Sequence, residues 1–158
     1  MLKESVFGHD LEISQRSFWQ SHELAPEILA AVVREHVKLG DRVLDLYGGA
    51  GLFTAAVLDL IGPDGYVDLI ESSPSATADA RRNFGGLPNG KIWTDDVDAG
   101  LHKIADANLV VLDPPREGAG KAVLAKIASL APRKIVYVAC DPAALARDCH
   151  YLEEMGWQ

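Results

Sequence analysis

The stretch Arg42-Val43-Leu44-Asp45-Leu46-Tyr47-Gly48-Gly49-Ala50-Gly51-Leu52-Phe53-Thr54 decides the fold. An apolar strand pattern runs into a glycine cluster and then into a helical pattern. Glycines at such a junction let the chain turn tightly and let a ligand approach the backbone. Two nucleotide-site readings compete. A dinucleotide fingerprint wants G-x-G-x-x-G, but its third glycine position is Thr54, and a carboxylate, Asp45, sits within the strand just before the loop. Both facts weaken the dinucleotide reading, although a tight strand-to-helix turn with no ligand has the same appearance.

Outward from this junction, β-rich apolar runs alternate with helical patterns, the signature of a parallel sheet covered on both faces. The patterning predicts strands at about 41–47, 65–71, 90–94, 107–112 and 133–139. It predicts helices at about 23–38, 51–61, 74–84, 97–104, 118–130 and 142–155. The fold class expected is α/β: a doubly wound, mostly parallel, Rossmann-like sheet. Residues 1–22 read as a lead-in, either a short hairpin around Gly8 or a tail from a preceding domain. Residues 23–158 form the domain proper, ending after a helix with a glycine C-cap where a further strand is expected.

With 158 residues, 48% of them hydrophobic, the chain can bury a core of its own. Two cysteines, Cys140 and Cys149, make neither a disulfide framework nor a zinc pattern, so a reducing, cytoplasmic setting is expected and no metal. No apolar run approaches membrane-spanning length. The net charge of −8 argues against a self-sufficient nucleic-acid binder.

Three further carboxylates fall at strand ends, where open α/β sheets bind ligands. Glu71 closes the second strand and can accept both hydroxyls of a ribose. Asp96 follows the third strand and can meet an adenine amino group, or simply start a helix. Asp113 opens Asp113-Pro114-Pro115-Arg116, whose two prolines stiffen the backbone. Amino-group methyltransferases often carry an aromatic residue after these prolines; Arg116 stands there instead, which points away from exocyclic-nitrogen chemistry. Finally, Val138-Ala139-Cys140-Asp141-Pro142 delivers a cysteine to the end of an apolar strand just where a helix begins. Unpaired amides and the helix dipole favour an anion there, and a thiolate is one. A small apolar residue closing a buried strand is the bland alternative.

The acidic strand followed by a G-x-G loop resembles the first motif of the class I S-adenosylmethionine-dependent methyltransferases. Together with Ser17-Phe18-Trp19-Gln20, Asp113-Pro114-Pro115-Arg116 and Cys140-Asp141-Pro142-Ala143, in that order and spacing, the chain resembles the RNA 5-methyluridine methyltransferases from about Leu11 to Gly156. The resemblance implies a methyltransferase sheet that lacks its C-terminal strands here. It implies S-adenosylmethionine as cofactor, contacted by Gln20, Tyr47, Glu71, Asp96 and Asp113. Cys140 matches the nucleophile and Asp113 a second catalytic position. The substrate implied is a uridine of rRNA or tRNA. Such enzymes usually also have an N-terminal β-barrel that helps hold RNA and a C-terminal stretch with a catalytic glutamate, neither found in this sequence. Departures are Gly48 where many members have cysteine, Trp19 where phenylalanine is usual, and His22 where asparagine is common.

Overall fold

The computed structural model describes residues 1–158. The chain opens with an antiparallel hairpin, β1 (Leu2–Val6) and β2 (His9–Ile13), followed by helix α1 (Ala25–Arg34). Five units of strand and helix follow: β3 (Arg42–Leu46), α2 (Leu52–Ile61), β4 (Tyr66–Glu71), α3 (Pro74–Phe84), β5 (Gly90–Thr94), α4 (Val97–Gly100), β6 (Leu109–Leu112), α5 (Lys121–Ser129), β7 (Lys134–Tyr137) and α6 (Pro142–Glu154). The five later strands form one parallel sheet in the order β5-β4-β3-β6-β7. The strand order reverses at β3, so a crevice opens at the carboxyl ends of β3 and β6.

The central strands are apolar on both faces because helices cover both. Leu109 to Leu112 are wholly buried, as are Val43, Leu44 and Leu46 beside them. One layer packs the hairpin, α1, α2 and Phe84 of α3 on the sheet; the other packs Leu101, Leu124, Ile127 and the inner face of α6. Helix ends follow local chemistry. Asp141 caps α6 by accepting from the Ala144 amide at 2.8 Å, and Pro142 fills the first turn. At the other end Gly156 takes a φ of +90° and the Trp157 amide reaches back to the Leu152 carbonyl at 3.0 Å.

The expected strands and helices are all present, with differences at their ends. The helix expected over 97–104 is one α turn followed by a 3-10 turn at Leu101–Lys103. Helix α5 starts at Lys121 rather than 118, because Gly118 and Gly120, with φ of +79° and +81°, hold the preceding segment out of helical conformation. Helix α1 stops at Arg34, and the chain continues through tighter turns in which the amides of His36 and Val37 bond three residues back.

The opening segment is the hairpin, turning through Phe7 and Gly8 with φ of 45° and 84°. That is the left-handed pair a two-residue hairpin favours. Val6, Leu11 and Ile13 enter the core, and Asn83 of α3 exchanges hydrogen bonds with the backbone of Glu12. Below the hairpin, Asp79 accepts from the Ser14 amide, the Ser14 hydroxyl and the Ser17 hydroxyl at 2.8, 2.8 and 2.5 Å. No helix is long and apolar enough to cross a membrane.

If the hairpin is part of the core, Leu11→Ala should destabilise the chain by about 2–5 kcal/mol. Exposed Leu2→Ala should stay within about 0.5 kcal/mol. Urea unfolding compares the two, and equal small effects would show that the hairpin is a loosely attached appendage.

Candidate active site

The site grows from Asp45. Its side chain is fully buried in mid-sheet, and its Oδ2 accepts from both the amide and the hydroxyl of Thr54, at 3.0 and 2.8 Å, across the glycine loop. Oδ1 has no partner. Burial pushes the carboxyl up to about 7 against the opposing pull of the Thr54 hydrogen bonds. Thr54, the residue that breaks the dinucleotide fingerprint, is therefore what ties the loop to the strand. Gly48 is forced by packing: a Cβ there would lie 2.6 Å from Leu69 Cγ and 3.1 Å from Asp45 Cγ. A cysteine at this position would require Leu69 to move. Tyr47 leaves β3 with a φ of +58°, a conformation few bulky residues adopt unless their surroundings impose it.

Around this loop the structure assembles most of the anticipated residues. Trp19 and Gln20 line one cleft with Tyr47, Gly48, Gly49, Ala50 and Asp113. Gln20 Nε2 donates to Asp113 Oδ2 at 3.2 Å. Asp113 is half-buried, and burial pushes its carboxyl up to about 6, opposed by the Gln20 hydrogen bond. Glu71 stands at the end of the neighbouring strand, where Oε2 accepts the Gly49 amide at 3.1 Å and Oε1 the Ser73 amide at 2.7 Å. Tyr47 is pushed up to about 12 by burial and by the negative charge of Asp96. Asp96 itself is exposed at the start of α4, where it caps the helix by accepting the Asp98 amide at 2.9 Å. It makes no hydrogen bond to the other four residues.

Cys140 lies in a second, smaller pocket, shared with Pro114, Pro115, Arg116, Tyr137 and Asp141. It is exposed and stands one residue before the N-cap of α6. Asp113 faces the first pocket and the residues after it line the second, so one short loop borders both. Two cations of this region are paired: Lys121 with Glu154 at 3.0 Å, and Arg147 with Asp148 at 2.8 Å. Arg116 is exposed. The sequence reading missed Asp148 and Asp79, both buried carboxylates. Asp148 had a signal: it lies on the stripe of α6 that includes buried Ala144 and half-buried Tyr151, at helical spacing.

No protein-family model matches the chain. A Streptomyces avermitilis protein named uncharacterized RNA methyltransferase is 42% identical over 161 residues, covering 99% of this chain and 37% of that protein. One of the same name from Caldanaerobacter subterraneus subsp. tengcongensis is 35% identical over 158 residues, covering 93% and 34%. The chain thus spans little more than a third of the length of these relatives. Among solved structures, the Pyrococcus abyssi tRNA (uracil-54, C5)-methyltransferase in complex with S-adenosyl-L-homocysteine superposes with a TM-score of 0.79 at 26% identity, over 95% of this chain and 37% of that one. Along nearly its whole length the chain is similar to part of proteins named RNA methyltransferase. Its sheet has the methyltransferase fold, as the likeness to Aeropyrum pernix fibrillarin also shows, with a TM-score of 0.67 at 19% identity over 98% of this chain and 76% of that one.

The raised carboxyls of this methyltransferase fold carry a pH signature. Folded Asp45 and Asp113 hold protons up to about pH 7 and 6, whereas unfolded aspartates release them near pH ~4. Between those values the folded chain binds more protons, so stability rises as pH falls through this window. Asp79, held down to about 2 by its hydroxyl, amide and Arg82 partners despite burial, works the other way only below pH ~4. Urea unfolding should therefore show greater stability at pH 5 than at pH 7.5, with a smaller difference in Asp113→Asn. An unchanged slope in that variant would contradict the assignment.

Proposed function

We propose that the chain is the catalytic domain of an S-adenosylmethionine-dependent RNA (uracil-5-)-methyltransferase, acting on a uridine of rRNA or tRNA through a covalent cysteine adduct. The observation that carries this reading is the placement of Cys140 at the carboxyl edge of the sheet. It shares a pocket with the loop whose first residue, Asp113, faces the glycine cleft. Methyl transfer to nitrogen has no need of a thiol there. Transfer to carbon 5 of uracil, a weak nucleophile, does.

The glycine cleft suits the cofactor. Gly49, beside which a Cβ would meet nothing within 4 Å, leaves backbone open to close approach, and aromatic Tyr47 and Trp19 flank it. Glu71 and Asp113 supply carboxylates for ribose hydroxyls and for a positively charged group, with Gln20 holding Asp113; the base amino group is assigned to Asp96 by the family resemblance. When bound, S-adenosylmethionine supplies an electrophilic methyl on a sulfonium. The chain's own part begins at Cys140, whose thiolate sulfur bonds to carbon 6 of the uracil and shifts an electron pair to the carbon 4 carbonyl as an enolate. Carbon 5 then takes the methyl group. A base removes the carbon 5 proton, and the electron pair returns to expel the thiolate. In the family the chain resembles, that base is a glutamate. Asp113 orients the ring and cofactor by hydrogen bonds. The uridine must leave its stack to reach Cys140.

RNA is the partner in this reading, although the chain is acidic. In the family the chain resembles, a basic grip on phosphate comes from an N-terminal β-barrel domain. Residues 23–158 carry the methyltransferase machinery, with Gln20 contributed by the lead-in. Free, exposed Cys140 and Cys149 suit the cytoplasm.

RNA containing 5-fluorouridine tests the adduct, because fluorine on carbon 5 cannot be removed as a proton. At low salt with S-adenosylmethionine, the protein should form a denaturant-resistant RNA adduct mapped to Cys140. Cys140→Ala should abolish it, and Cys149→Ala should leave it intact. An adduct on Cys149, or one that persists in Cys140→Ala, would overturn the mechanism.

A further inference from the structure

Asp148 is fully buried on α6, two helical turns beyond its N-cap, and the mechanism above leaves it unused. Its Oδ2 accepts from the Tyr137 hydroxyl at 2.7 Å, the Ala119 amide at 2.7 Å and the Gly120 amide at 3.2 Å. Its Oδ1 accepts from Arg147 Nε and Nη2 at 3.1 and 2.8 Å. The same Arg147 Nη2 reaches the Glu117 carbonyl at 2.6 Å. Burial raises the Asp148 carboxyl, but the donors from Arg147, Tyr137 and the two amides outweigh it and hold the group ionised below the usual range. The cluster also dictates a residue opposite: a Cβ on Gly118 would come within 2.6 Å of Asp148 Oδ2 and 2.7 Å of Arg147 Nη2.

These bonds have a geometric consequence. The loop from Asp113 to Gly120 is anchored at one end by β6, whose carboxyl end is Leu112, and at the other by Asp148. The helix that carries Asp148 begins immediately after Cys140. Pro114 and Pro115 stiffen the span between the anchors. The relation of Asp113 and Arg116 to the thiol is thus set by a carboxylate about 10 Å along the helix from its start.

We propose that Asp148 is a positioning residue: it latches the Glu117–Gly120 segment to α6, so that Asp113 and Cys140 address the same bound uridine. The proposal rests on the uridine methyltransferase reading for its catalytic consequence, and on the hydrogen bonds alone for the latch. Misplacing reacting groups by about 1 Å can cost about 100-fold in rate.

The test compares wild type, Asp148→Ala, Asp148→Asn and Tyr137→Phe in the protein, following amide hydrogen exchange and methyl transfer to uridine-containing RNA. In Asp148→Ala, exchange at Ala119 and Gly120 should accelerate at least tenfold while β3 and β6 keep their protection. Turnover should fall 10- to 100-fold with KM for S-adenosylmethionine within threefold. Asp148→Asn keeps an acceptor for the amides and should recover part of the turnover. Tyr137→Phe, which removes one donor to Asp148 and the long 3.3 Å contact of the hydroxyl with the Ala119 amide but leaves the 2.7 Å bond of that amide to Asp148, should show a smaller loss of the same kind if Asp148→Ala does not fold. Unchanged turnover in folded variants, or exchange that rises uniformly across the sheet, would overturn the proposal. If wild type transfers no methyl group to uridine, the functional reading fails, and exchange at Ala119 and Gly120 alone decides the latch.

Discussion

A buried carboxylate reaching across a turn organises this molecule. Asp45 sits at the centre of the sheet, and its two hydrogen bonds from Thr54 fasten the first turn of α2 to the end of β3. The glycine loop at the cleft is closed by that fastening. The left-handed backbone at Tyr47, the absence of room for a side chain at Gly48, and the Gly49 amide aimed at Glu71 all belong to the same short loop. Burying a carboxyl is costly, and the chain meets the cost partly with Thr54 and partly by raising the proton affinity of Asp45. Such strain and unpaired polarity concentrate where a ligand is to be held.

Around that anchor the sheet's topology brings two kinds of chemistry together. The crevice beside β3 gathers carboxylates and aromatic faces, suited to a nucleoside carrying a positive charge. The adjacent pocket offers a thiol beside a stiff proline loop. Asp113 belongs to the first and its following residues to the second, so the loop after β6 couples them. Asp148 governs that loop through the Ala119 and Gly120 amides, together with Tyr137, which lines the second pocket.

Much of this was legible in the sequence. Unbroken apolar runs such as Leu109-Val110-Val111-Leu112 mark strands buried on both faces, and caps such as Asp141-Pro142 mark helix starts, because both depend on neighbours in sequence. The cleft residues Gln20, Tyr47, Glu71 and Asp113 were nameable from strand ends and motif resemblance. Asp96 was named too, yet its role as a helix cap is the one the structure displays. What escaped were interactions between distant segments. Asp79 holding Ser14 and Ser17, and Asp148 holding Ala119 and Gly120, join segments at least 28 residues apart. Two of the five hydrogen bonds to Asp148 come from backbone amides, which carry no sequence signature. The missing room at Gly48 likewise follows from where Leu69 packs, a fact of register between β3 and β4.

In the proposed chemistry, carbon 5 of a uridine receives the methyl group. The most direct measurement is nucleoside analysis by liquid chromatography and mass spectrometry, on unmodified rRNA and tRNA incubated with the protein and isotopically labelled S-adenosylmethionine. Label is expected in 5-methyluridine and in no other nucleoside. Label in an N-methylated or ribose-methylated nucleoside would contradict it.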